Sequence, residues 1–572
     1  MIKNIQLNSF IGLFCAFTFS NVNAQQALFI PSTLSGSTIS LDIQQGAVNF
    51  LPGNSTPTFG YNGNFLGPTI LLNKNDSVSF NITNSLLDIT TVHWHGLHVA
   101  PENDGGPHQE IMPSQVWSPS FKIRNNASTF WYHSHVHMST EYQVNLGLAG
   151  LIIVHDSTEA SYVLPRTYGI DDFPIIIQSK SFDILNQLAA FTHDDSIMMI
   201  NGTIDPVLDA PAQVVRFRCL NGSADRTYNL GLSTNANFYV IASDGGMLDQ
   251  PISANRVRLS PGERYELLID LTGMQGQSLY LMSYASQLQN GIIGSPQVGT
   301  GMAQLPGYAM NPLNGADFNL LNIDVVAQTT NPVTTIPVQF QTNVKWLVQN
   351  ADTSRILTFA PEVMGPQEMV EGPFTISGKS FDMDSINIHI PFNNTEIWSI
   401  VNNTMVAHPF HIHDIQFNVV DRNGVAVTGI ETGWKDVVLV RPQETVRVIA
   451  KFETFYNDNI PYMYHCHLLH HEDEGMMGSF IVNSPASTGI NSNIYNDIKV
   501  ELYPNPVGDI LYTTIPKGAD FVIYNSTGQV IEYYEKSFLE DKLVVHTSSF
   551  VNGMYFIQVK TPKGIIVKKF VK

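Results

Sequence analysis

The chain has 572 residues, of which 43% are hydrophobic and 10% aromatic; this excludes a disordered polypeptide and, at roughly one domain per ~150 residues, suggests three or four domains. Only 14% of residues are charged, while 41 Gly and 31 Pro punctuate the chain, a composition of strands and turns. Asp and Glu outnumber Lys and Arg by 49 to 29, and the formal charge of −20 argues against nucleic acid and anionic membrane surfaces as partners.

Residues 1–24 read as a secretory signal. Lys3 provides the positive start, Phe10–Phe19 is an apolar run, and Val22-Asn23-Ala24 is a small-residue cleavage site before Gln25. The run is too short to cross a bilayer and no later stretch is apolar enough, so an exported chain without a membrane span is expected. Cys15 leaves with the signal. Cys219 and Cys466 alone cannot make a disulfide framework. Cys219 lies in the alternating strand Val214–Leu220 and reads as a buried structural thiol.

A cadence then recurs three times. Ile111-Met112-Pro113-Ser114-Gln115 precedes a strand over Val116–Ile123; Leu259-Ser260-Pro261-Gly262-Glu263 precedes Tyr265–Asp270; Val440-Arg441-Pro442-Gln443-Glu444 precedes Val446–Phe452. Aromatic-rich strands follow each time, at Phe130–His135, Leu279–Ala285 and Tyr462–His467. A repeat this long suits whole domains of short strands, that is β-sandwiches, with boundaries near 25–157, 158–327 and 328–486. The fold class expected is all-β: three sandwich domains, a polar linker at 487–498, and a small β-domain over 499–572.

Ten of the 18 histidines fall in four clusters: His93-Trp94-His95, His133-Ser134-His135, His408-Pro409-Phe410-His411-Ile412-His413, and His465-Cys466-His467 with His471. Residues two apart on a strand share a face, so each His-x-His is expected to present two imidazoles side by side. Eight such imidazoles exceed what one metal ion can use. Cys466 points away from its flanking histidines, and His408, three residues before His411, can do the same. His471 and Met476 follow in a Gly-containing loop. One Cys, two His and a distant Met form the trigonal ligand set of a blue-copper site; core packing is the alternative for Met476, and zinc would want another ligand set.

These motifs, in this order, resemble the multicopper oxidases, specifically the three-domain bacterial laccase and cuprous oxidase group. The resemblance extends through Asp104-Gly105-Gly106-Pro107, Gly147-Leu148-Ala149-Gly150, the run from Leu164 to Asp172, and Leu468-Leu469, and covers residues ~30–485. It implies cupredoxin folds and four copper ions. His408, Cys466, His471 and Met476 would hold type 1 copper; His93 and His411 type 2; His95, His133, His135, His413, His465 and His467 the type 3 pair. Electrons would pass from a reductant through Cys466 and its flanking histidines to O2, giving water. The middle domain, whose only histidine is His193, would be a spacer.

Asp104 and Glu472 stand where relatives place acidic residues that serve the trinuclear cluster; a turn and a solvated acidic loop are the alternatives. Asp436 matches a family position on the substrate side of type 1 copper, with an ordinary surface carboxylate as the alternative. His98, His108, His137 and His470 are expected outside the ligand set. Cuprous specialists carry a Met-rich insert, whereas Ala360–Lys379 has only Met364 and Met369. That favours a phenolic or aromatic reductant over a metal ion; a bilirubin-like reductant is a third class.

Residues 499–572 carry nine Lys and seven acidic residues, so the acidity belongs to the rest of the chain. Leu502-Tyr503-Pro504-Asn505-Pro506, Ile523-Tyr524-Asn525-Ser526-Thr527-Gly528 and Asn552-Gly553-Met554-Tyr555-Phe556 resemble the type A sorting domain of the type IX secretion system. The resemblance implies secretion machinery as a partner and delivery, through the periplasm, to the cell surface or beyond; a monomer is expected. A carbohydrate-binding or adhesive β-domain is the alternative.

Overall fold

A computed structural model of the chain describes residues 25–189, 194–300, 303–485, 500–514, 519–534, 542–561 and 564–572. The signal, His193 and the linker at 487–498 lie outside the described residues. The chain forms one compact unit through Asn483 and a second from Ser484.

Strands dominate the first unit, whose three main hydrophobic cores follow the sequence order except that Leu28 packs in the second and Ile293, Val298, Ala303, Leu305 and Tyr308 pack in the third. The first core lies between a four-stranded sheet that ends on Ala149–His155 and Ser128–His133, and a five-stranded sheet built on Thr38–Val48 and Ser77–Asn84. The second is enclosed by six- and seven-stranded sheets. In the third, Ile388–Pro391, Met477–Asn483, Tyr462–Cys466, His408–Ile412 and Val437–Val440 form one five-stranded layer in that order. The expected strand over Val116–Ile123 is split into Val116–Trp117 and Ser120–Lys122 around Pro119, which has no N–H to donate to a ladder.

Two boundaries differ from the sequence expectation. Gln26–Ala27 pairs in parallel with Pro206–Pro211, and Leu28 packs in the second core, so the start of the chain belongs with the middle domain. Residues 328–343 also run against that domain. Val333, Ile336 and Phe340 pack with Leu164, Val214, Ile241 and Leu268, and the third sandwich begins at the strand Thr353–Pro361. Residues 328–343 form no strand, so their apolar side chains settle on the nearest apolar surface.

Cys219 is buried in Val214–Asn221, whose two faces are both covered. Arg216 and Arg218 on that strand stay buried because Glu266, Asp172 and Glu159 pair with them. In the second unit, Leu502–Tyr503, Ile510–Thr514 and Lys542–His546 form one sheet. Val530–Tyr534, Asp520–Asn525, Met554–Thr561 and Gly564–Val571 form the other, around a core that includes Leu511, Phe521, Ile557 and Phe570. Among the described residues no helix is long and apolar enough to cross a membrane.

Candidate metal centre

The third sandwich sets two histidine motifs on neighbouring strands. His408–Ile412 pairs with Tyr462–Cys466, placing Phe410 opposite Cys466 and His411 opposite His465. From the first sandwich, His133 ends the strand Ser128–His133 and His93 bridges to it. His95, His135, His413 and His467 all lie outside strands. The two rings of each motif nonetheless remain neighbours. Ring centroids within a motif stand 5.8, 5.9, 5.1 and 5.5 Å apart, about the spacing of alternate residues on one strand face.

Rings from different motifs come closer together. Nε2 of His135, His413 and His465 converge, at 3.2 Å (His135–His413), 3.2 Å (His135–His465) and 3.3 Å (His413–His465). Nδ1 of His95 stands 3.4 Å from His133 Nε2 and 3.3 Å from His467 Nε2. His93 and His411 each donate Nδ1–H to a backbone carbonyl, Asp104 O at 3.0 Å and Asp436 O at 2.8 Å. Their Nε2 lone pairs are buried and have no hydrogen-bond partner. Each of the four motifs thus divides its two rings between groups.

On the other face of its strand, Cys466 Sγ lies 3.4 Å from His408 Nδ1 and 3.8 Å from His471 Nδ1, and those two nitrogens are 3.3 Å apart. Thr404 Oγ1 holds His408 Nε2 at 2.8 Å, leaving Nδ1 for the triangle. His471 sits on the short helix Leu469–Asp473 rather than in a loop, and one helical turn brings it back over Cys466. Met476 is buried beside them in the third core, its N–H bonded to His471 O and its carbonyl to Cys466 N.

The carboxylates frame the histidines. Asp104, 1% exposed, accepts His413 Nδ1–H on Oδ2 at 2.8 Å, and its Oδ1 makes no hydrogen bond. Burial, then the Asp414 carboxylate, push its pKa well above the ordinary range. Glu472 is buried rather than solvated, 3.2 Å from His135 Nδ1 and 3.1 Å from His465 Nδ1, off hydrogen-bond alignment with both.

Asp436 requires a correction. It is fully buried, 3.2 Å from His95 Nε2 and paired with Arg264, on the side of the eight histidines. The middle domain is equally more than a spacer, since it supplies Arg264 and Asp244. The turn Pro261-Gly262-Glu263-Arg264 was the available signal, but without a histidine it reads only as a strand entry. His98 pairs with Asp414, His108 Nε2 meets Met383 O, His137 packs on Phe381, and His470 stands near Glu141 and Glu474; none joins the ligand groups.

These donors suit metal ions. Two imidazoles bound at about 2.0–2.1 Å to one tetrahedral ion lie about 3.3–3.4 Å apart, and thiolate and imidazole on a trigonal ion about 3.8 Å. Burial pushes His93, His95, His135, His411, His413 and His467 well below the ordinary imidazole range, His133 to about 4 and His408 to about 3, so the rings are neutral. Neutral rings whose N–H groups point outward leave converging lone pairs, an arrangement that a cation stabilises.

Comparison with known proteins assigns the class. The multicopper oxidase family descriptions match residues 42–159, 198–306 and 356–486, and a secretion system C-terminal sorting domain matches 501–572. The chain is 33% identical over 453 residues to a multicopper oxidase of Staphylococcus haemolyticus, covering 78% of this chain and 88% of that one. A laccase-like multicopper oxidase from Ochrobactrum, with oxidase activity towards lignin model compounds and lignosulfonate, superposes with a TM-score of 0.69 at 30% identity, covering 80% of this chain and 100% of the other. A Campylobacter jejuni multicopper oxidase described as a metallo-oxidase gives 0.67 at 25%, covering 80% and 96%.

The chain belongs to the multicopper oxidase family. It is a copper-dependent oxidoreductase, and its C-terminal domain is a secretion-system sorting domain.

Proposed function

We propose that this oxidase holds four copper ions and couples one-electron oxidation of phenolic and other aromatic reductants to four-electron reduction of O2 to water. His408, Cys466 and His471, with Met476 as axial ligand, would hold type 1 copper. His93 and His411 would hold type 2 copper. His95, His133 and His467 would hold one type 3 ion, and His135, His413 and His465 the other. The mutual convergence of three Nε2 atoms at 3.2–3.3 Å in the second triplet, with His133 and His467 both within 3.4 Å of His95 Nδ1 in the first, is the observation that carries the reading.

This chain's residues do the positioning. One peptide bond on each side joins Cys466 to His465 and His467, so a continuous covalent path links the thiolate triangle to both triplets. Backbone carbonyls of Asp104, Ser134, Asp436 and Cys466 accept Nδ1–H of His93, His133, His411 and His465, which turns each Nε2 inward. Asp104 is suited to hold a proton at Oδ1 beside His413, and Glu472 offers a second carboxylate between His135 and His465. Burial of all ten histidines excludes bulk water.

Two methionines in Ala360–Lys379, in place of a Met-rich insert, favour an organic reductant. The resemblance of residues 501–572 to a type IX sorting domain supports release or surface display through that machinery. Copper counting with O2 uptake tests the reading: four ions per chain and water as product are expected. Steady-state kinetics on a phenol, bilirubin and Cu(I), each with and without added copper, test the reductant. A kcat/KM for Cu(I) far above that for the phenol would move the enzyme to the metal-ion class.

A further inference from the structure

The middle sandwich places one cation beside the histidine cluster. Arg264 is fully buried and uses all five guanidinium N–H groups. Nε donates to Thr129 O at 3.1 Å, Nη1 to Gly262 O at 2.9 Å and Asp436 Oδ1 at 2.6 Å, and Nη2 to Asp244 O at 3.0 Å and Asp436 Oδ2 at 2.6 Å. Thr129 lies on the strand that carries His133, and Asp436 belongs to the third sandwich. A single side chain therefore joins three domains with no donor left over.

Asp436 in turn touches two rings. Its carboxylate Oδ1 accepts His95 Nε2–H at 3.2 Å, and its carbonyl accepts His411 Nδ1–H at 2.8 Å. His95 is the one histidine in the two triplets that turns Nδ1 inward. The other five turn Nε2 inward. The Asp436 contact accounts for this, because an Nε2–H donor leaves the lone pair on Nδ1.

Asp244 makes a second tie. Its carboxylate accepts Arg264 N–H at 2.8 Å and the N–H groups of Asp436 and Val437 at 3.3 and 3.2 Å. Close packing shows how tightly the pair is seated. A Cβ on Gly96, which has φ +86°, would lie 2.5 Å from Asp436 Oδ2 and 2.8 Å from Arg264 Nη2; one on Gly262 would lie 2.9 Å from the His467 ring.

We infer that Arg264, from the domain without copper ligands, is a positioning residue that holds Asp436 so that His95 binds through Nδ1 and His411 through Nε2. This rests on the four-copper reading above. Arg264 touches neither copper nor O2, and acts through Asp436. The bidentate fork orients the carboxylate; a lysine supplies the charge without the plane.

The test uses full-length protein loaded with copper. Arg264→Met, Arg264→Lys and Asp436→Asn are compared with wild type for copper per chain, blue absorption, type 2 EPR amplitude, copper loss to a chelator and thermal unfolding. The expected result is full blue absorption with a diminished type 2 signal, and copper of the histidine cluster held roughly 10–100-fold more weakly. Arg264→Lys should share the defect while unfolding close to the wild-type temperature. If Arg264→Met fails to fold, Arg264→Lys and Asp436→Asn decide the question alone. Wild-type type 2 amplitude and chelator resistance in both would overturn the inference, as would equal loss of type 1 and type 2 copper in step with stability. A wild type lacking type 2 copper would instead overturn the four-copper reading.

Discussion

His411 and His465 are Cα partners on adjacent antiparallel strands, yet their rings serve different groups. His465 Nε2 meets His135 and His413, whereas His411 Nε2 stays beside His93 with its Nδ1 on Asp436 O. Strand pairing brings the motifs together, and the hydrogen bond on the far nitrogen of each ring decides which group it joins.

Cys466→Ser should abolish the blue absorption and reduce oxidase activity to background while the protein stays folded. The thiolate is the one sulfur ligand in the triangle with His408 and His471, and a hydroxyl cannot replace it. Visible spectra with far-UV circular dichroism check this; a variant that stays blue would refute the type 1 assignment.

The double variant His95→Ala, His135→Ala removes one ring from each triplet and none from the Cys466 triangle. It should be blue, accept electrons from a reductant and fail to reduce O2. Anaerobic bleaching followed by admission of O2 measures the two halves separately. O2 turnover at the wild-type rate would show that the ligands are divided wrongly.

Asp104→Asn keeps the size of a side chain that bonds His413 and removes its capacity to hold a proton at Oδ1. Reoxidation by O2 should slow on the order of 10²-fold, with reduction by a phenol nearly unchanged. Stopped-flow traces of both half-reactions check it. Equal slowing would return Asp104 to a role in the turn.

Thr404→Val removes the bond to His408 Nε2 without touching the Cys466 triangle directly. The blue band should persist, with type 1 copper bound roughly tenfold more weakly. Competition with a copper chelator, followed at the blue band, gives the number; unchanged affinity would make Thr404 only a loop-structuring residue.

Truncation near Ser487 should leave copper content and turnover of the purified protein unchanged, since residues 501–572 match a sorting domain and hold none of the ligand groups. In the native host the truncated enzyme should accumulate in the periplasm. Activity lost on truncation would make the domain part of the catalytic body, and unchanged export would remove its role as an address.

The sequence by itself determined the class of the protein. Four His-x-His motifs, a Cys between two histidines and a three-fold cadence of strands are local patterns, and spacing along a strand is enough to say that Cys466 and its neighbours face opposite ways. Tertiary structure alone decided which ring meets which, because His95, His135, His413 and His467 lie beyond the strands where a two-residue period holds. It also moved Asp436 from the substrate side to the histidine cluster and gave the middle domain a part through Arg264. Those contacts join residues 172 and 341 positions apart, and a buried charge shows its purpose only when its partner from another domain is in place.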